Sequence, residues 1–251
     1  MSEATLIENL RKDAQMRSET DKIISVFWVL LPLITLVLSV FISLIAIFYP
    51  ITFLTLWPWL IGSLVLSFVF LIAYLYLVYM LINRRNIHFS RQWRFTEDLI
   101  ALLKAIALKK GVNVETPVSS MERTLRDMKM YETEKSAILW VILLIVPFAN
   151  LIASLYILYF LTRDFYIHER REDAVWEDMT RALSNLKIDF MMRRANPIPD
   201  RSYVLYIILS IITLGLFGIY WLYTLIQDPN NHFSNHVHFE DEIINKVSTA
   251  L

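Results

Sequence analysis

His88, His168, His232, His236 and His238 are the only histidines in this 251-residue chain, and each stands shortly after a long apolar run. Imidazoles beside carboxylates are ligands for zinc-class ions. The spacing His232-x3-His236-x-His238 offers three of them close together. Against that chemistry, His168 is a lone histidine among Glu169, Arg170 and Arg171, a poor setting for a cation. Histidines at such positions also mark the polar end of an apolar helix. The reading that follows is that no metal or cofactor is required, with His232, His236 and His238 as the residues that would hold an ion if one were bound. The acidic pairs Glu97-Asp98, Glu177-Asp178 and Glu240-Asp241 resemble catalytic carboxylates, but each stands where an amphipathic helix would open, and negative charge is favourable there. There is no glycine-rich phosphate loop, nucleophile elbow or His-Glu metalloprotease pattern. With no cysteine there is no thiol nucleophile, disulfide or Cys-type zinc site. No catalytic residue is assigned, and the chain is expected not to be an enzyme.

These residues recur in a fixed order. Tyr76 and Tyr79 precede His88, Tyr156 and Tyr159 precede His168, and Tyr220 and Tyr223 precede His232. In all three copies the second tyrosine lies nine residues before the histidine, and an acidic pair follows eight or nine residues later. Such regularity reads as a threefold internal repeat. The tyrosine pairs fit an aromatic belt.

The elements that must position them are apolar. Residues 23–83, 136–162 and 202–227 contain no Asp, Glu, Lys or Arg, and the chain is 56% hydrophobic. About 20 apolar residues cross a bilayer as a helix, so the first run holds two segments and the others one each. The sequence therefore predicts an all-α integral membrane protein with four apolar segments and interfacial amphipathic helices. Two topologies remain open: four spans, or two spans plus two re-entrant hairpins turning at Pro147–Asn150 and Thr213–Gly218. The first pair of segments is joined near Pro50, Trp57, Pro58 and Trp59. Sixteen of the 24 basic residues fall on one side in the four-span case, which puts the N-terminus in the cytoplasm. The units are an N-terminal amphipathic helix (1–22), a two-span hairpin with its amphipathic helix (23–111), a helix, third segment and amphipathic helix (112–199), and a fourth segment with a C-terminal helix (200–251). Lys109-Lys110-Gly111 is a helix stop, Ser119 and Glu122 a capping box, Thr96 an N-cap and Asn196-Pro197 a second stop.

The run Thr213-Leu214-Gly215-Leu216-Phe217-Gly218-Ile219-Tyr220-Trp221-Leu222-Tyr223 resembles a prokaryotic family of small polytopic membrane proteins of unknown function, over residues of about 200–245. That resemblance implies a membrane location and supplies no activity. Two of the four glycines, Gly215 and Gly218, lie three apart in one apolar segment. Small residues mediate helix packing in lipid, so they are expected to make a close contact within the chain or with a neighbouring copy. Net charge is zero, so no nucleic-acid partner is indicated. The absence of charge within the apolar runs argues against an ion-coupled transporter. The function expected is a non-enzymatic structural or assembly protein of the cell membrane. Its partners would be the lipid bilayer and either further copies of itself or other membrane proteins. The alternative is a small-solute or ion conduit.

Overall fold

Three long helices that run in the same direction carry the polar residues singled out above. The computed structural model describes residues 3–48 and 53–249. Helix α1 (Glu3–Gln15) buries Leu6, Leu10 and Ala14, spaced four apart on one face. A short α2 (Arg17–Thr20) and a 3-10 turn (Val26–Val29) lead into α3 (Leu30–Phe48). Then come α4 (Phe53–Lys110), α5 (Glu115–Tyr131), α6 (Ala137–Ile145), α7 (Ala149–Asn185), α8 (Tyr203–Ile212) and α9 (Leu216–Thr249). Helix α4 is 58 residues long, about 87 Å at the usual rise. It stops where Lys109-Lys110-Gly111 says it should: Gly111 has φ +63°, and the amides of Gly111 and Val112 return to the carbonyls of Leu108 and Ala107.

Helices α4, α7 and α9 cross the same three layers in the same order. Leu77, Leu81, Ile82, Ile157, Phe160, Trp221 and Ile226 share one apolar cluster. Leu99, Leu103, Ile106, Met179, Leu183, Ile243 and Val247 share another, completed by α1 and α5. Between them lies a polar layer floored by Phe89, Phe165 and Phe233.

This architecture corrects several expectations. Among the described residues two helices, not four, are long and apolar enough to cross a membrane: Val26–Ile45 and the apolar part of Trp57–Lys110. The third and fourth apolar runs are each cut in two. At 146–148, Pro147 offers no N–H and Phe148 takes φ +65°, while at 213–215 Leu214 and Gly215 take φ +51° and +91°. Leu99, Leu102, Leu103 and Ile106, the apolar stripe of the amphipathic helix expected at the membrane interface within 23–111, pack against other helices of the chain. Interhelical ion pairs such as Arg91–Glu240 and Arg85–Asp164 lie in the packed body. Neither the four-span reading nor its hairpin variant with interfacial helices describes this packing. The lipid and membrane-protein partners, the homo-oligomeric or accessory assembly role, the conduit, and the multi-pass location with a cytoplasmic N-terminus rested on that architecture and fall with it.

Local expectations change as well. Each copy of the tyrosine–histidine–acid pattern lies within one unbroken helix, with no joint at the histidine and no new helix at the acidic pair. Thr96 is mid-helix, and Trp57, Pro58 and Trp59 lie inside α4. Pro50 is outside the described residues. Helix α5 begins at Glu115, four residues before Ser119, with Asn113 Oδ1 accepting from the Glu115 amide. Helix α7 stops eleven residues before Asn196, with Lys187 at φ +60°.

Candidate metal centre

In the polar layer, an i, i+4 spacing puts His232, His236 and Glu240 on one face of α9, and His168 and Glu172 on one face of α7. Helix α4 presents His88, Arg91 and Gln92, and the turn after α2 delivers Asp21. His88, His232 and His236 converge through their Nε2 atoms. His232 Nε2 lies 3.1 Å from that of His88 and 3.1 Å from that of His236. Glu172 Oε2 completes the set, 3.4 Å from His232 Nε2 and 3.3 Å from His236 Nε2. All four donor atoms lie within 4.8 Å of one another. Tetrahedral donors about 2.0–2.1 Å from a zinc-class ion are separated by about 3.3 Å. Four of the six edges of the set, at 3.1–3.4 Å, match that figure. The three imidazoles are at most 1% exposed and Glu172 3%.

The outward-facing nitrogens are held in one manner. His88 Nδ1 meets Asp21 Oδ1 at 2.9 Å, His232 Nδ1 meets Glu169 Oε2 at 2.9 Å, and His236 Nδ1 meets Glu240 Oε1 at 3.1 Å. An ionised carboxylate only accepts, so Nδ1 of His88 and of His232 carries the proton. Their Nε2 atoms then face each other at 3.1 Å with lone pairs and no proton between them. A cation at the centre of the four donors resolves that conflict, and carboxylate-bound Nδ1–H is the usual support for a metal-ligating histidine. Gln92 Nε2 also contacts His236 Nδ1 and donates to Glu240 at 2.7 Å.

Electrostatics agree with the geometry at His88 and His232. Burial pushes His88 down to about 3 despite the pull of Asp21. It also carries His232 well below its ordinary range despite Glu172 and Glu169. Both rings are thus neutral at pH 7, the form that binds a metal. Burial would lower His236, but Glu172 and Glu240 outweigh it and raise this ring. Burial would raise Glu172, yet His236, His168 and His232 hold it well below the usual carboxylate range.

His168 sits behind Glu172. Its Nδ1 is 2.8 Å from Glu132 Oε2 and its Nε2 is 3.1 Å from Glu172 Oε1, a close but poorly aligned contact. Burial opposes its charge, but Glu132 and Glu172 prevail and raise it to about 9, so His168 is an imidazolium. Arg194, from the irregular stretch after α7, lies over the centre within 3.5 Å of Glu169, Glu172 and Asp173.

The residues singled out by spacing are sorted by this geometry. The marker histidines His88, His168 and His232 meet, with ring centroids 5.1, 5.4 and 5.7 Å apart. His232 and His236 join the donor set, while His238 is exposed and outside it. Tyr76, Tyr79, Tyr156, Tyr159, Tyr220 and Tyr223 are all exposed and take no part. Beyond the adjoining backbone, no heavy atom lies within 4 Å of where a Cβ would stand on Gly215 or Gly218. Neither glycine therefore makes the close contact expected within the chain, and Gly215 serves the turn through its positive φ. The spacing analysis missed His88 and Glu172 as ligands. One signal was available, because the position four residues after each marker histidine holds Gln92, Glu172 and His236.

A family model described as a domain of unknown function, DUF4234, matches residues 201–243, 17% of the chain. The match covers α8 and most of α9, including His232, His236 and Glu240, but neither His88 nor Glu172. The resemblance read from residues 200–245 therefore does not extend a small polytopic membrane architecture to the whole chain. No curated protein and no solved structure matches.

Proposed function

We propose that this chain binds one divalent first-row metal ion, zinc by preference, through His88, Glu172, His232 and His236, and that the ion is structural. The observation that carries this reading is the convergence of three Nε2 atoms and one carboxylate oxygen, with four of their six separations near the tetrahedral value and each Nδ1 anchored to a carboxylate. Three imidazoles and one carboxylate without sulfur suit zinc or cobalt(II) better than copper(I), and nitrogen donors disfavour calcium and magnesium. Four protein ligands fill a tetrahedron, whereas catalytic zinc keeps a position open for water or substrate. The burial of all four ligands supports the same non-catalytic role. The ion would tie α4, α7 and α9 together where their polar residues would otherwise repel apolar packing.

The test is metal analysis of purified protein together with cobalt(II) substitution. One equivalent of metal and the intense visible bands of tetrahedral cobalt are expected, both lost in His232→Ala and Glu172→Gln. His238→Ala should retain both. A wild-type protein that takes up neither zinc nor cobalt stoichiometrically ends this reading.

A further inference from the structure

Residues 3–25 form a strap that crosses α4 and α9 and reaches the candidate centre from outside. Leu6, Leu10 and Ala14 enter the cluster that holds Leu99, Leu103, Ile243 and Val247. Arg17 donates to the carbonyls of His236 and Val237 at 3.3 and 3.1 Å and pairs with Asp241 at 2.5 Å. Asn230 exchanges two hydrogen bonds with the backbone of Ile24, at 3.1 and 2.8 Å. Asp21, whose side chain is 5% exposed, is the strap's contact with the ring of a proposed ligand, through His88 Nδ1.

A single guanidinium joins this contact to the rest of the site. Arg91 reaches Asp21 at 2.8 Å and both oxygens of Glu240 at 2.8 and 2.9 Å. It thereby holds the two carboxylates that orient His88 and His236. Arg17 lies 3.5 Å from the same Glu240.

We infer that docking of this strap and occupation of the metal centre are coupled through Asp21 and His88, so that residues 3–25 are a metal-dependent latch. The inference rests on the metal reading above. A metal on Nε2 fixes the proton on Nδ1 and polarises that N–H toward Asp21, while Asp21 makes Nε2 a better donor to the metal. Without the ion, the facing lone pairs of His88 and His232 are relieved when the His88 ring turns. Turning it takes Nδ1 off Asp21 and weakens the strap's innermost anchor, leaving Arg91 as the charged partner of Asp21. Coupling of this kind is reciprocal, so loosening the strap weakens metal binding by the factor by which metal tightens the strap.

Full-length protein is compared with and without zinc by hydrogen exchange, and its zinc affinity is measured by chelator competition. Exchange across residues 3–25 should quicken about tenfold or more on zinc removal, with a much smaller change across α5. Asp21→Asn should weaken zinc binding about 10–100-fold, the usual effect of removing a carboxylate that supports a ligand. Leu10→Ala, which loosens the far end of the strap and leaves every polar partner in place, should speed zinc release to the chelator at least about threefold, as coupling requires. A wild type that binds no zinc overturns the metal reading and the latch together. Wild-type binding with unchanged affinity in Asp21→Asn, unchanged release in Leu10→Ala, or equal exchange changes in the strap and α5 overturns the latch alone.

Discussion

Replacing Arg91 by Met tests the electrostatic logic of the polar layer without reference to any metal. Arg91 is fully buried and holds Asp21 and Glu240, which are 5% and 0% exposed at their side chains. Deleting one partner of a buried ion pair costs about 3–5 kcal/mol, because the remaining charge is left without compensation. Here Asp21 loses its guanidinium and Glu240 keeps only Arg17 at 3.5 Å, while each keeps an imidazole, His88 or His236. A loss of about 4 kcal/mol is therefore expected. At about 2–4 °C per kcal/mol for a chain of this size, the midpoint should fall by about 8–16 °C. Thermal unfolding followed by far-ultraviolet circular dichroism at pH 7, in excess chelator, reads it. Lys104→Met provides the reference: the Lys104–Glu122 pair is 2.7 Å long but 48% and 36% exposed, so it should be worth less than about 1 kcal/mol. The sharper consequence is a reversal of sign. Asp21→Asn should destabilise the wild type, where it breaks a satisfied pair, and stabilise Arg91→Met, where it removes an uncompensated charge. An Arg91→Met loss no larger than that of Lys104→Met, or an Asp21→Asn effect of one sign in both backgrounds, refutes the reasoning.

Other perturbations follow from single contacts. Asp13 is 7% exposed with one carboxylate oxygen unpartnered, and burial, helped by Asp98, raises its pKa. A raised acid favours the protonated fold, so its ionisation costs stability as pH climbs above the unfolded value near 3.8. Asp13→Ala should thus raise stability at pH 7 by about 1 kcal/mol, read as a higher urea midpoint, and the gain should vanish at about pH 3.5; an equal gain at both would contradict this. Pro229 leaves the Leu225 carbonyl without its helical donor, and Arg84 supplies one at 2.7 Å. Arg84→Met should therefore cost about 1 kcal/mol less in a Pro229→Ala background than alone, and additive losses in chemical denaturation would dismiss the link. Gly215→Ala should cost about 1 kcal/mol or more because of its φ of +91°, whereas Gly218→Ala, in open space within α9, should be neutral or slightly stabilising. Equal losses at the two glycines, read as thermal midpoints, would restore a packing role for both.

Part of the local structure was legible in the chain. Helical content followed from apolar periodicity, and the stop at Gly111 from a glycine that takes positive φ after two lysines. The spacing that aligns Tyr, His and acid in three places also marked the three helix stretches that meet in the polar layer. These are local properties, decided by backbone sterics and by which face of a helix is apolar. Tertiary structure decided the rest. The apolar runs break at 146–148 and 213–215, close to the turns that Pro147–Asn150 and Thr213–Gly218 offered, but the sequence left open whether each run passed straight through, and Phe148 and Leu214 are not residues that announce a left-handed turn. The stripe of Leu99, Leu102 and Ile106 looks the same whether it faces lipid or α1 and α5; only packing chose. The donor set depended on packing most of all. His88 and His232 are 144 residues apart, yet their Nε2 atoms stand 3.1 Å from each other. A ligand set is a property of distances between side chains on different helices. Spacing along one helix placed His232 and His236 together, but it also proposed His238, which turns outward, and it could not reveal that Glu172 and His88 face them.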